Sequence, residues 1–545
     1  MGSPTVPPPR APRARLAPAE RLDRRALDTD REIAAAQMRA LVVALPAPAM
    51  VGSSAELRTA LEETGAIGAT VRQLARRLEV DSPVVEVELG RLAARGEVVR
   101  MGRGLWMLSD YETLERRPDF EDAAAFRERF EHEDGVALGT YDGPITFRPN
   151  DQLPVHRWWP YVQGYSAEFV RTVIDHAGLS APATVLDPFS GSGTTLIEAR
   201  RAGARAIGFE LLAPAALAAR VKGRFELDRS ALDRAGRRVL ARARRSAPGA
   251  LPFLRETRRQ FDPDVLDELT QLRDALPESA RPEDEAARLA FGRILIPSSH
   301  LRRSPCLGYG PAAPAGPPPF DRFRAAIAEM GSDLEVLAPE RAGWGPPIVV
   351  EQRDARTMEL PAGSVDLALT SPPYVNGMDY VMNYKIDLAW LGYVSSYADL
   401  ARLRREEVAC DNLPRAETRA YRTTHDAPDP WLPEILEQIR DRTGRKGCYR
   451  RDDMHGIVHR YFRDLLQILS GVYRSLRPGG RFVLVIGDSL LAGTYVPGDL
   501  ITARLGASVG FRIRSVDIAR ERRSGQRRSF RLRESIVTLE RPNGT

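Results

Sequence analysis

The stretch Ala183-Thr-Val-Leu-Asp-Pro-Phe-Ser-Gly-Ser-Gly-Thr-Thr195 decides the fold. It opens on a short apolar run closed by proline, the pattern of a strand buried on both faces. Two glycines one residue apart follow, and two threonines then open a helix over Thr195 to Ala202. Strand, glycine turn and helix start together make the place where a doubly wound sheet binds its ligand. Gly191 and Gly193 let the backbone turn tightly and approach a ligand with no Cβ in the way. Amides at the helix start can hold a carboxylate, with the Thr194 and Thr195 hydroxyls assisting. Arg205-Ala-Ile-Gly-Phe-Glu210 reads as the next strand, and an acidic side chain at its end can accept both hydroxyls of a ribose. A nicotinamide-binding fold expects a third glycine in the turn, but Leu196 stands there.

Further strands follow at Ile348-Val-Val350 and Val365-Asp-Leu-Ala-Leu369. A long helix over 457–476 ends at Arg477-Pro-Gly-Gly480, and Arg481-Phe-Val-Leu-Val-Ile486 is the next strand. A helix near 499–507 and strands near 511–519 and 530–540 complete the chain. The expected fold class is α/β: a mostly parallel, doubly wound, Rossmann-like sheet with a closing antiparallel hairpin. Directly after the strand Val365–Leu369 comes Thr370-Ser-Pro-Pro-Tyr374. Two prolines fix φ and remove two amide donors, so the turn is rigid and its carbonyls are left to accept. By itself such a motif also reads as a plain stiff turn.

The string Asp187-Pro-Phe-Ser-Gly-Ser-Gly-Thr-Thr195 resembles the cofactor motif of the amino-methyltransferases that modify exocyclic nitrogens in DNA, and Thr370-Ser-Pro-Pro-Tyr374 resembles their catalytic motif. The resemblance implies S-adenosylmethionine as cofactor, held by Asp187, Phe189, Gly191, Gly193, Thr194 and Glu210. Asp354, after the third strand, matches the family's contact to the adenine amino group. It implies Ser371, Pro372, Pro373 and Tyr374 as catalytic residues. An exocyclic amine is a weak nucleophile because its lone pair is delocalised into the ring. Accepting its two hydrogens favours the pyramidal geometry that attacks a sulfonium methyl. Tyr374 can stack on the flipped base for roughly 1–3 kcal/mol. Serine in the first position is commoner among cytosine-N4 enzymes and aspartate among adenine-N6 enzymes, which favours cytosine N4. Adenine N6, RNA guanine N2 and a catalytically silent DNA-binding regulator stay open. The cofactor motif precedes the catalytic one, the reverse of many relatives, so the chain is permuted relative to them.

Residues 54–108 carry three helical patterns and two short strands. Thr70 is placed to cap the second helix, and Asp81-Ser-Pro83 to start a third carrying Val84, Val87, Leu89 and Leu92. This order resembles a winged helix-turn-helix, which docks on DNA or on protein. Glu86 and Glu88 on the third helix would repel phosphates. The expected domains are a disordered tail (1–28), the winged-helix-like domain (29–110), and a linker (111–150). The cofactor-binding half (151–225), a helical insert (226–345) and the catalytic half (346–545) follow. The insert, the segment 400–455 with Tyr421, Trp431 and Tyr449, and the basic hairpin Arg522-Arg-Ser-Gly-Gln-Arg-Arg528 are candidates for reading DNA. Each also reads as a solvated basic surface. Trp158, Trp159, Tyr161 and Tyr165 either cover the cofactor's methionine end or pack the sheet edge, and Trp390 is expected in helix core.

Net charge is +6, with only three lysines (Lys222, Lys385, Lys446), so nearly all the positive charge is arginine. Arginine forks suit phosphate and guanine edges, and a GC-rich coding sequence gives the same bias. Double-stranded DNA is the expected partner, alone or with proteins of a restriction-modification or phage-defence system. Three cysteines (Cys306, Cys410, Cys448), none in a close pair, exclude a disulfide framework and a structural zinc site. No metal site is expected. Ser304-Pro-Cys306 is a poor match to the nucleophile of a C5-cytosine enzyme, because no Glu-Asn-Val follows it. No apolar run approaches the roughly 20 residues of a membrane span, and the Arg/Pro-rich start is no secretory signal, so a cytoplasmic protein is expected.

Overall fold

The computed structural model describes residues 54–543 except 63–68, 102–104, 109–117, 162, 180–181, 225, 304–305, 311–315, 376–377, 409–413, 419–425, 444–450 and 524–530. The expected tail 1–28, the helix at 29–44, the tip Gly102-Arg-Gly104, Cys410, Tyr421, Cys448, Tyr449 and the centre of the hairpin 522–528 lie outside the described residues. The chain divides into two compact units, Met1–Glu112 and Thr113–Thr545.

In the first unit, helices Ser54–Glu62, Val71–Leu78 and Ser82–Ala94 accompany strands β1 (Ala69–Thr70), β2 (Val98–Met101) and β3 (Leu105–Leu108). The strands form an antiparallel sheet in the order β1-β3-β2. Thr70 caps the second helix as its sequence implies. Its hydroxyl accepts from Gln73 N at 3.3 Å, and its own N–H donates to Gln73 Oε1 at 2.8 Å, a reciprocal capping box. The third helix buries Val85, Leu89 and Leu92. Val84 and Val87, expected on its inner face, are 50% and 41% exposed. The helix is rotated so that Val85 takes the inward position.

The second unit is built on an eight-stranded sheet. Its strands are β4 (Leu138–Thr140), β5 (Thr184–Asp187), β6 (Arg205–Phe209), β9 (Val349–Glu351), β10 (Val365–Thr370), β11 (Leu476–Gly487), β14 (Arg512–Arg523) and β15 (Arg531–Glu540). Their order is β4-β14-β15-β11-β10-β5-β6-β9, and β15 alone runs against the others. Hairpins β7 (Leu301–Arg303) with β8 (Leu307–Tyr309), and β12 (Ser489–Leu491) with β13 (Thr494–Val496), lie outside this sheet. Alternate residues of the central strands feed two cores, the signature of a sheet covered on both faces. Val185, Leu367, Leu369, Val483 and Val485 pack with Phe169 and Ile174 of the helix Ala167–Ala177. Leu186, Ala368, Phe482, Leu484 and Ile486 pack with Ile457, Phe462 and Leu469 of the helix Met454–Ser475.

The segment expected as a linker carries an acidic-basic helix and a short strand. The helix Pro118–Asp134 buries Phe130 in the second core, and β4 adds an edge strand to the sheet beside Val516–Ile518. The insert is helical, as its composition implies. Helices Arg229–Ala243, Pro263–Ala275, Pro282–Leu295 and Pro319–Leu337 share one core with the helix Ala213–Lys222. Among the described residues no helix is long and apolar enough to cross a membrane.

Candidate active site

Adjacent parallel strands β5 and β10 present their C-terminal ends side by side, with Leu367 opposite Val185 and Ala368 opposite Leu186. The glycine loop and the Ser-Pro-Pro-Tyr motif therefore leave the sheet from one edge. A direct bond joins them: Thr370 Oγ1 donates to Asp187 Oδ1 at 2.6 Å. Phe189 N–H reaches both acceptors, at 3.0 Å to Asp187 Oδ1 and 3.2 Å to Thr370 Oγ1. The other carboxylate oxygen accepts from Tyr165 Oη at 3.1 Å, and that phenol also bonds the Thr195 hydroxyl. Asp187 is fully buried, and desolvation pushes its carboxyl up to about 6 despite these donors.

The loop's shape depends on its glycines. Gly191 and Gly193 have φ of +50° and +89°. A Cβ on Gly191 would lie 2.8 Å from the Tyr161 ring, and one on Gly193 2.9 Å from Ala219 Cβ. Gly193 is the N-cap of the helix Thr194–Arg201, whose first residue, Thr194, is buried. Glu210 ends β6 and reaches back to the loop: Oε2 accepts from Gly191 N–H at 2.9 Å and Oε1 from Leu212 N–H at 2.8 Å. Burial is the largest influence on Glu210, and with the charge of Asp187 it raises the carboxyl to about 7.

Beyond Glu210 lies a cavity of about 220 Å³, lined by Leu211, Ala213, Asp354, Leu388, Tyr393 and Leu403 among others. Asp354 thus stands where the cavity continues from the end of β6. Its carboxylate is engaged by Arg356, through Nε at 2.9 Å and Nη2 at 2.7 Å, and by Arg356 N–H at 2.8 Å. Its free acceptor capacity is smaller than the sequence suggests. A positive-φ glycine cradle, a buried carboxylate at the second strand end and a lined cavity beyond it fit an adenosyl group with an amino-acid tail. Of the sequence-expected cofactor residues, Asp187 accepts from Phe189 N–H and Glu210 from Gly191 N–H; Gly193 and Thr194 follow at the helix start, and Asp354 lies on the cavity wall.

The turn Thr370-Ser-Pro-Pro-Tyr374 is pinned at both ends. Thr370 holds its start, and Tyr461 Oη of the helix Met454–Ser475 donates to Pro373 O at 2.8 Å. One lone pair of the Pro373 carbonyl is thereby taken, and the Ser371 side chain hydrogen-bonds the Tyr374 hydroxyl. Tyr374 Oη donates to Glu534 Oε1 at 2.6 Å, and the Arg522 guanidinium lies 5.4 Å from its ring centroid. Burial, then the Glu534 charge, keep this phenol well above its ordinary range. Tyr461 and Glu534 escape sequence reasoning because each meets the motif across a long sequence separation.

The aromatic segment before β5 splits between the glycine loop and the core of the insert. Tyr161 lies over Gly191 and stacks on Tyr384 with ring centroids 5.7 Å apart, and Tyr165 anchors Asp187. Trp158 instead donates to Asp333 Oδ2 at 2.8 Å within the insert core, and Trp159 O accepts from Lys222 Nζ at 2.8 Å. Trp390 is buried against Phe261. Trp431, a candidate for reading DNA, is buried under Arg129 and Arg504 and bonds Glu133 at 3.1 Å, so it is core. Cys306 is an exposed free thiol. No cluster suited to a metal ion occurs among the described residues.

Residues 164–217 match the DNA methylase family. The Type II methyltransferase M.BsoBI of Geobacillus stearothermophilus is 22% identical over 73% of this chain and 88% of its own length. The Type II methyltransferase M.AvaI of Anabaena variabilis is 23% identical over 68% of this chain and 82% of its own. A solved SAM-dependent methyltransferase from Methanosarcina mazei covers 68% of this chain and 98% of its own, at 9% identity and a TM-score of 0.25.

Proposed function

We infer that this chain, a member of the DNA amino-methyltransferase family, methylates an exocyclic amine of a DNA base from S-adenosylmethionine, and we propose cytosine N4 as that amine. The Thr370–Asp187 bond carries the reading, because it ties the start of the Ser-Pro-Pro-Tyr turn to the strand end from which the glycine loop leaves. Ser371 in the first position of the shelf supports cytosine over adenine. The cofactor supplies an electrophilic methyl group when bound.

In this reading Gly191, Gly193 and Thr194 hold the cofactor's amino-acid end. Glu210 accepts the ribose hydroxyls, and Asp354 meets the adenine across the cavity it shares with Leu211. Ser371 and the Pro372 carbonyl accept the two amine hydrogens, so the nitrogen lone pair is directed at the methyl group. Tyr374 stacks on the flipped base. Pro373, its carbonyl held by Tyr461, keeps the shelf rigid. No covalent bond to the protein is required. The helix–strand order of the first unit supports a winged helix-turn-helix that docks the chain on DNA or on a partner protein. The Type II names of the relatives support a restriction-modification setting.

The test is transfer from labelled cofactor into duplex DNA, with the product identified by nucleoside mass spectrometry. N4-methyldeoxycytidine is expected. N6-methyldeoxyadenosine would overturn the choice of base, and methylated guanine in RNA the choice of nucleic acid. Cofactor binding with no transfer would point to a silent regulator.

A further inference from the structure

We propose that Glu534 is a positioning residue of this site: through the Tyr374 hydroxyl it anchors the tip of the ring and makes that ring electron-rich toward the target base. The inference rests on the reading of Tyr374 as the stacking shelf.

Besides a hydrogen bond with the Ser371 side chain, three contacts hold the Tyr374 ring. Its tip is on Glu534, at 2.6 Å. Its edge lies against Gly487, where an added Cβ would come within 3.0 Å of Cε2. One face is beneath Arg522, whose guanidinium also bonds the Asp488 carbonyl. All three partners come from the closing part of the sheet. Glu534 pairs in register with Gly487 on one side and with Arg520 on the other. Arg520 forms an ion pair with the Glu534 carboxylate, which is buried. The hydroxyl oxygen lies on the ring's own rotation axis, so the charge-assisted bond to the buried carboxylate fixes where the tip of the ring lies, while Gly487 and Arg522 limit its rotation.

The charge matters as well as the geometry. In methyl transfer the amine nitrogen's lone pair would form the new bond to carbon, the carbon–sulfur bonding pair would stay on the departing sulfur, and the base amine would become cationic. It then loses one proton to solvent. A cation over an aromatic face is stabilised by the ring's negative quadrupole, and a phenol donating to a carboxylate carries more electron density than a free one.

A double-mutant cycle tests this. Glu534→Gln keeps a hydrogen-bond acceptor and removes the charge, and Tyr374→Phe keeps the ring and removes the hydroxyl. Each is expected to lower kcat about 10- to 100-fold, the size of a lost charge-assisted hydrogen bond. The KM for cofactor should not change. The double variant should be no slower than Tyr374→Phe alone, because Glu534 acts through the phenol. Additive losses, or wild-type kcat in Glu534→Gln, would overturn the proposal, since a merely structural Glu534 would act equally in both backgrounds. If Glu534→Gln does not fold, Tyr374→Phe decides alone: wild-type kcat refutes, and the expected loss at unchanged cofactor affinity and Tm supports. A wild-type protein that transfers no methyl group fails the functional reading itself, which is a separate outcome.

Discussion

Replacing Gly193 with alanine is expected to empty the cofactor site without dismantling the sheet. Gly193 has φ of +89°, a region that costs an L-residue about 1–2 kcal/mol. The new Cβ would sit 2.9 Å from Ala219 Cβ and 3.0 Å from Ala219 Cα. Ala219 is fully buried in the helix Ala213–Lys222, so its backbone has nowhere to retreat. Overpacking of this kind costs about 1–3 kcal/mol more. The loop escapes the combined penalty of about 2–5 kcal/mol by leaving its bound shape. At about 1.4 kcal/mol per decade that is roughly a 30-fold to several-thousand-fold loss of affinity. Calorimetric titration with S-adenosylhomocysteine reads the loss, and a thermal melt reads any share taken by folding. Gly90→Ala is the control: that glycine lies within the helix Ser82–Ala94 with nothing within 4 Å of the added Cβ, and the change should be neutral or stabilising by about 1 kcal/mol. If Gly193→Ala binds within twofold of wild type with an unchanged Tm, the loop is not the cofactor cradle.

Other perturbations follow from the same contacts. The Glu210 carboxyl is raised to about 7, and the ionised form is the one that accepts ribose hydroxyls, so cofactor affinity should rise about tenfold from pH 6 to pH 8. Glu210→Gln should flatten that profile. Because the folded chain retains protons on Asp187 and Glu210 that the unfolded chain has released, the ligand-free protein should lose stability as pH rises from about 4 to about 7, the opposite of a salt-bridged carboxylate. Tyr374→Ala and Ser371→Ala should each abolish methylation while binding cofactor normally in calorimetry; retained turnover in both would remove those residues from the chemistry. Tyr461→Phe frees the Pro373 carbonyl and should destabilise the fold by about 1 kcal/mol in denaturant titration while slowing turnover. Duplex DNA affinity should fall steeply between 50 and 200 mM salt, and a salt-independent dissociation constant would remove the phosphate contacts from the account.

The parts of the fold legible in the sequence are those with local signals. β5, β10 and β11 are buried on both faces, so each reads as a continuous apolar run, and proline or glycine marks where it stops. The Thr70 cap is legible because its whole hydrogen-bond pattern lies within four residues. β4 is not legible: it has three residues and is a strand only because Val516–Ile518 lie beside it. The valines of the third helix mislead because Val84, Val85 and Val87 are equally apolar, and packing alone selects Val85 for the interior. At the site, both walls are visible as motifs, but what fastens them is not. Thr370 meets Asp187 across 183 residues, Tyr461 meets Pro373 across 88, and Glu534 meets Tyr374 across 160. Tyr165 is visible as an aromatic before β5, and only its bonds to Asp187 and Thr195 separate its role from that of Trp158.

The most direct test of the shared pocket is a crystal structure with S-adenosylhomocysteine bound. The account predicts adenine in the cavity between Leu211 and Asp354, ribose hydroxyls on Glu210, and the amino-acid end over Gly191 and Gly193. The sulfur should face Ser371 and Tyr374 across open space wide enough for a flipped base. A ligand bound elsewhere, or a sulfur turned away from Tyr374 with protein filling the gap, would contradict it.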